Sequence, residues 1–362
     1  MVHKEITPEE KIFCSVRKKY IMNEKDLQSE AAHAVTSKKV KKIAVLTSGG
    51  DAPGMNAAVR AVTRCGLESD MQVFGVYRGY EGLIEGEFLK MERRLVSDIM
   101  QRGGTILKTA RSDRFETEEG QERAVSMIHT FGIDALIVIG GDGTMRGAAD
   151  LSNFDIPVIC LPGTIDNDLG YTDFTIGFDT AVNTVLEAIG KIRDTSSSHE
   201  RTTVIEVMGR RCGDIAVYAG LSGGAEMVCV PEMPVDVNRM CNKIITDGHN
   251  GRTHSVIIVA EGAPIRTRDL VEEIRRKTGK EVRQVVLSYL QRGGSPTSSD
   301  RLLGTLCGAK AVEILADPDF DMKSYAVGQR NGKIIATHLN EALEMRRDFK
   351  EELVGLINVL SK

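Results

Sequence analysis

Two loops hold the residue types that could do chemistry, Gly140-Gly141-Asp142-Gly143-Thr144 and Pro162-Gly163-Thr164-Ile165-Asp166-Asn167-Asp168. Each follows a short apolar run with strand character, Ala135–Ile139 before the first and Val158–Leu161 before the second. Glycines at such a position let the backbone approach a phosphate closely, and the amides of a helix starting near Thr144 favour an anion. Yet Asp142, Asp166 and Asp168 would repel a polyphosphate unless a hard cation stood between them, so the pattern implies Mg²⁺. A lone Gly-Asp turn after a strand is commonly only a turn. Two such loops about twenty residues apart, carrying three aspartates, point instead to a phosphate and metal site.

The elements that must position these loops alternate along the chain. Lys41-Lys42 introduces a strand at Ile43–Leu46, a third glycine loop over Thr47–Gly54, and a helix over 55–67 with Ala58, Val62 and Cys65 on its apolar face. Further strand-like runs are Val73–Val76, Pro157–Leu161, Thr203–Val207, Met227–Val230, Ser255–Val259 and Val285–Leu287. Helical stretches are Gly120–Phe131, Phe178–Ile192, Val235–Thr246, Asp269–Lys277 and Arg301–Leu315, and residues 338–362 read as two short helices split at Asp348. Continuous Val/Ile/Leu strands alternating with helices predict an α/β fold of two doubly wound lobes with largely parallel sheets, in which ligands bind at the strands' carboxyl ends. Helix 178–192 is long enough to run from one lobe to the next, which puts a boundary near 177. Residues 1–38 form a polar N-terminal arm, with one helix expected near 8–20, capped by Thr7 and Glu10 around Pro8.

Composition bounds the partners. A chain of 362 residues exceeds one usual core, and 41% hydrophobic with 27% charged residues is a globular balance. The net charge of −4 gives no global field toward nucleic acid or membrane, so anion binding must come from local arginine clusters. No apolar run approaches the roughly 18 residues of a membrane span. Cys14, Cys65, Cys160, Cys212, Cys229, Cys241 and Cys307 show no CxxC spacing, and Cys160 and Cys229, in apolar runs, read as reduced core thiols, which points to the cytoplasm. Gly-Gly pairs recur without a repeat period.

Taken in order, the motifs resemble those of the ATP-dependent 6-phosphofructokinases of the bacterial type, over about residues 41–360. The stretches that carry the resemblance are Leu46–Asn56, Gly140–Thr144, Pro162–Asp168, Asp194–His199, Met208-Gly209-Arg210 and Gln291–Pro296. The resemblance implies transfer of the γ-phosphoryl group of ATP to the 1-hydroxyl of fructose 6-phosphate. Asp166 would be the base, Thr164 would hold the transferring group, and Arg111 and Arg210 would meet its developing charge. Asp142 and, through water, Asp168 would serve Mg²⁺. Gly49, Ser112, Gly141, Asp142, Gly143 and Thr144 would cradle ATP, with Tyr80 and Gly147 nearer its base and ribose. Met208, Gly209, Arg210, Glu261, Tyr289 and Arg292 would bind the sugar phosphate, with Arg201 and Arg283 reaching in from a neighbouring subunit of a homo-oligomer, expected to be a tetramer. The implied division is a nucleotide-binding lobe of residues 39–176 plus 290–337 and a sugar-phosphate lobe of 177–289 plus 338–362.

Two positions depart from the family pattern. Tyr289 stands where histidine is usual, which keeps a hydrogen-bond donor but loses a charge. Asn250 stands where a lysine is usual, within an expected ADP and phosphoenolpyruvate effector pocket of Arg60, Arg64, Arg93, Asp98, Arg193, Glu226 and Arg252. Arg60 and Arg64 share a helix face, where like charges call for an anionic partner or solvent. A pyrophosphate-dependent enzyme of the same fold would carry Asp at 143 and Lys at 163; both are glycine here. A lipid or NAD kinase would share the Gly-Gly-Asp-Gly loop but lack Pro162–Asp168. A non-catalytic relative would be expected to lack Asp142, Asp166 or Arg111.

Overall fold

The structure, a computed structural model, describes residues 40–361, so the helix expected near 8–20 lies outside the described residues. The chain enters at β1 (Lys42–Thr47) and continues through α1 (Met55–Glu68), β2 (Gln72–Val76), α2 (Gly79–Glu85) and β3 (Phe88–Lys90). Next come α3 (Glu118–Phe131), β4 (Ala135–Gly140), α4 (Asp142–Ser152), β5 (Val158–Thr164) and the two-residue β6 (Ile176–Gly177). Then follow α5 (Phe178–Ser198), β7 (Thr202–Val207), α6 (Asp214–Ser222), β8 (Met227–Cys229), α7 (Val237–His249), β9 (Ser255–Ala260), α8 (Thr267–Thr278) and β10 (Val282–Val286). The last elements are α9 (Ser298–Ala316), β11 (Tyr325–Arg330), β12 (Lys333–His338), α10 (Leu339–Glu344) and α11 (Glu351–Leu360).

The larger sheet has the order β12-β11-β5-β4-β1-β2-β3, with β6 beside β5; the pairs β11–β12 and β2–β3 are antiparallel and the others parallel. Both faces are covered, which is why its central strands are apolar throughout. Ile43 and Val45 of β1 face one core and Ala44 and Leu46 the other, and all six residues of β4 are buried. Burying each Ile or Leu stabilises the sheet by roughly 1.5–3 kcal/mol. The smaller sheet, β10-β7-β9-β8, is entirely parallel, with α11 packed on α6 and β8.

Both sheets and the terminal helix pair agree with the sequence expectations. Several elements were not expected: α2, β3 and the β11–β12 hairpin. The hairpin turns at Asn331-Gly332, both left-handed (φ 52° and 75°), the dipeptide that a two-residue hairpin turn favours. Helix α7 starts later than expected because the Asp236 side chain caps it, accepting from the Arg239 amide at 2.9 Å.

Candidate active site

The adjacent strands β1, β4 and β5 bring the three glycine loops together at their carboxyl ends. The Ser48 amide donates to the Ile139 carbonyl at 3.0 Å, which ties the first loop to the second. At Gly140 a Cβ would stand 2.7 Å from the Ser48 carbonyl and 2.4 Å from Thr144 Oγ1, so no other residue fits that contact. Between the loops lies a cleft of about 600 Å³. Its lining includes Gly49, Tyr80, Arg111, Ser112, Gly141, Asp142, Gly143, Thr144 and Gly147, together with Thr164, Asp166, Asp168, Arg210 and Arg292.

Asp166 sits at the floor of the cleft. Only 5% of it is exposed, and its Oδ2 lies 3.3 Å from Arg210 Nε. Burial, reinforced by the neighbouring Asp168 carboxylate and opposed by Arg210, pushes its pKa up to about 6. A carboxylate held there is ionised near neutrality yet basic enough to accept a proton. Arg210 adopts a left-handed conformation (φ 52°) in the turn after β7, and its amide donates to Glu261 Oε1 at 2.8 Å. That bond fixes the turn that aims the guanidinium.

Across the cleft, Asp142 opens α4 and is held by Arg146 through bonds of 2.9 and 3.1 Å. Asp168 is mostly buried, its Oδ1 has no hydrogen-bond partner, and burial raises its pKa. An orphaned carboxylate oxygen and a half-exposed carboxylate lining one cleft fit a hard-cation site that takes further oxygen ligands from outside the protein. Among the described residues no cluster of three or more acidic, His or Cys side chains is placed to hold a metal unaided. Tyr80 is buried and stacks on Phe115 at 4.0 Å, while its hydroxyl donates to the Thr144 carbonyl at 2.6 Å. It thus buttresses the Gly140–Thr144 loop as well as lining the cleft.

Other expected residues lie outside the cleft lining. Glu261 accepts from the Arg210 amide, the Gly209 carbonyl accepts from the Cys212 amide at 2.8 Å, and the Met208 amide donates to Gln291 Oε1 at 3.1 Å. Tyr289 is 74% exposed, with the Arg292 guanidinium 5.4 Å from its ring centroid. Arg201 and Arg283 both pair with Glu281, at 2.7 and 2.5 Å, on the outer edge of the smaller sheet. The expected effector set does not come together within one chain. Arg193, Glu226 and Arg252 line a separate cavity of about 310 Å³, whereas Arg60 and Arg64 lie on α1 and Arg93 and Asp98 follow β3. In that cavity Arg193 is bonded to Glu226 and to the carbonyls of Gly223 and Gly224, and Arg252 and Lys243 both donate to the Ser361 carbonyl at 2.6 Å.

Sequence reasoning missed three contributors. Arg146 carries the one local signal, an arginine four residues after Asp142 on a helix. Asp300 accepts from the Gly177 and Thr180 amides at 2.8 Å each and so holds the start of α5. Asn167, between Asp166 and Asp168, is fully buried and bonds Asp214 at 2.7 Å, while Cys212 Sγ approaches the Asn167 carbonyl at 3.8 Å.

The family described as phosphofructokinase matches residues 42–315. An ATP-dependent 6-phosphofructokinase of Clostridium tetani is 53% identical over 322 residues, covering 89% of this chain and all of that relative. The solved phosphofructokinase of Saccharomyces cerevisiae aligns with a TM-score of 0.79 at 34% identity, over 89% of this chain; the chain spans about half (48%) of that longer polypeptide. A pyrophosphate-dependent phosphofructokinase of Marinobacter aquaeolei shares the fold, with a TM-score of 0.76 at 21% identity and 86% of each chain covered. Fold alone therefore does not choose the phosphoryl donor. The chain belongs to the phosphofructokinase family.

Proposed function

We propose that this protein is an ATP-dependent 6-phosphofructokinase, a glycolytic kinase that moves the γ-phosphoryl group of ATP to the 1-hydroxyl of fructose 6-phosphate, giving fructose 1,6-bisphosphate and ADP. The observation that carries this reading is Asp166, buried opposite Arg210 on the floor of a cleft whose other wall is the glycine loop Gly140–Thr144. Asp166 accepts the proton of the sugar hydroxyl as its oxygen bonds to the γ-phosphorus and the bond to the ADP oxygen breaks. Thr164 holds the transferring group, and Arg111, Arg210 and Arg292 offset the charge that develops on it. Asp142 and Asp168 would hold Mg²⁺, which when bound neutralises the β- and γ-phosphates.

ATP rather than pyrophosphate is the donor. A Cβ at Gly143 would meet nothing within 4 Å, so no packing demand calls for glycine there, and the open space is room for a nucleotide phosphate. At Gly163 a Cβ would crowd Ile139 at 2.8 Å and Met55 at 3.0 Å, so the lysine of a pyrophosphate enzyme does not fit this packing. Arg201 and Arg283, each paired with Glu281, would serve a neighbour's sugar-phosphate site in a homo-oligomer, which we take to be a tetramer. ADP and phosphoenolpyruvate would act at the cavity of Arg193, Glu226 and Arg252, completed by Arg60, Arg64, Arg93 and Asp98 of another subunit. The free, mostly buried cysteines suit a cytoplasmic protein. A coupled assay with purified protein tests the function: ATP with fructose 6-phosphate should give product and pyrophosphate none. Turnover with pyrophosphate alone would overturn the choice of donor.

A further inference from the structure

The loop that carries Asp166 and the turn that carries Arg210 belong to different sheets, and a buried junction joins them. Asn167 adopts a left-handed conformation (φ 55°) and uses both ends of its amide. Its Nδ2 donates to Asp214 Oδ2 at 2.7 Å, and its Oδ1 accepts from the Thr175 amide at 3.0 Å. Asp214 is the first residue of α6, only 3% exposed, and stands four residues after Arg210. Asp214 is also paired with a cation, which comes from the segment between α10 and α11. Arg347 Nη2 lies 2.5 Å from Asp214 Oδ2, while its Nη1 donates to the carbonyls of Thr172 and Asp173 at 3.3 and 3.1 Å.

Arg347 therefore grips both sides of the gap: α6 through its ion pair, and the return arm of the catalytic loop through two carbonyls. Buried ion pairs add little net stability but can specify one arrangement among several, because any other leaves a charge unmatched. We propose that Arg347, acting through Asp214 and Asn167, is a positioning residue that sets the placement of Asp166 against Arg210. The proposal rests on the reading of Asp166 as the base. It predicts an effect on turnover rather than on nucleotide affinity, since the hydrogen bonds of Asn167 and Arg347 go to Asp214, Thr172, Asp173 and Thr175 and not to the β1 or β4 loop.

The test is a double-mutant cycle of Arg347→Met and Arg210→Met, assayed with ATP and fructose 6-phosphate on full-length protein, with kcat normalised to the folded fraction. Misplacing reacting groups by about 1 Å costs on the order of 100-fold, so Arg347→Met should lower kcat by about 10- to 100-fold with the KM for ATP changed less than about threefold. In the Arg210→Met background the same change should cost less than about threefold, because the geometry it protects is already lost. Arg347→Lys, which keeps a cation for Asp214 but loses the two-carbonyl grip, should recover part of the turnover. Equal losses in both backgrounds, or wild-type kcat in folded Arg347→Met, would overturn the proposal. Should Arg347→Met fail to fold, Arg347→Lys enters the same cycle and is read by the same criterion. An inactive wild type would refute the function itself; an active wild type indifferent to Arg347 refutes only the junction.

Discussion

Replacing Gly143 with aspartate separates donor recognition from folding. A Cβ at this position meets nothing within 4 Å, so the fold should accept the side chain without strain and the melting temperature should stay within about 2 °C of wild type. The new carboxylate projects into the cleft lined by Gly141, Asp142 and Thr144, where the phosphates of ATP would lie. Two unit charges about 5 Å apart, at an effective dielectric constant of about 20, repel by roughly 3 kcal/mol, or about 100- to 300-fold in affinity. The KM for ATP should rise by about that factor while the KM for fructose 6-phosphate changes little, since Arg292 and the turn around Arg210 are untouched. Initial rates across an ATP titration, with Mg²⁺ in constant excess, read this directly. An ATP KM within about threefold of wild type, in a protein that melts normally, would mean that residue 143 does not face the nucleotide.

Asp166→Asn should lower kcat by about 10²–10⁴, the range for a lost general base, and more than about a third of wild-type kcat would remove it from that role. Because burial raises its pKa to about 6 and only the ionised form accepts a proton, wild-type kcat/KM should fall about tenfold per unit as pH drops below about 6. A flat profile from pH 5 to 8 would contradict the assignment. Asp300→Ala strips a buried acceptor from the Gly177 and Thr180 amides and should cost about 2–4 kcal/mol in urea unfolding; a loss under about 0.5 kcal/mol would show that α5 does not depend on this cap. Mixing inactive Arg283→Ala and Asp166→Asn proteins should restore activity after subunit exchange. No recovery in demonstrated hybrids would leave Arg283 outside a neighbour's site.

What was legible in the sequence was chemistry concentrated in contiguous stretches. Thr164, Asp166 and Asp168 share one loop, and Gly140–Thr144 another, so spacing alone brings them together. The apolar runs before them left one sensible fold, because a strand such as Ala135–Ile139 is stable only when covered on both faces. The hairpin from Tyr325 to His338 was readable in principle from Asn331-Gly332, but its strands are weakly apolar and do not stand out. The support of the site was not legible: Asn167 reaches Asp214 across 47 positions and Arg347 reaches it across 133, and nothing local marks either contact. Arg60 and Arg64 show another limit, since a shared helix face does not say that Arg193 and Arg252 lie elsewhere in the same chain.

The thiol of Cys212 sits against this support, with its Sγ approaching the Asn167 carbonyl, and burial pushes its pKa up. Cys229 and Cys307 lie deep in two separate cores, with burial raising each to about 12. Such thiols react with an alkylating reagent only when the structure around them opens. The chain thus carries its own set of clocks. Labelling rates resolved by mass spectrometry would time the opening of the catalytic junction at Cys212 against that of the two cores, without adding a probe. If Cys212 were labelled ahead of the core thiols, and slowed when both substrates were present, the junction would be a unit that opens on its own and is closed by the reactants.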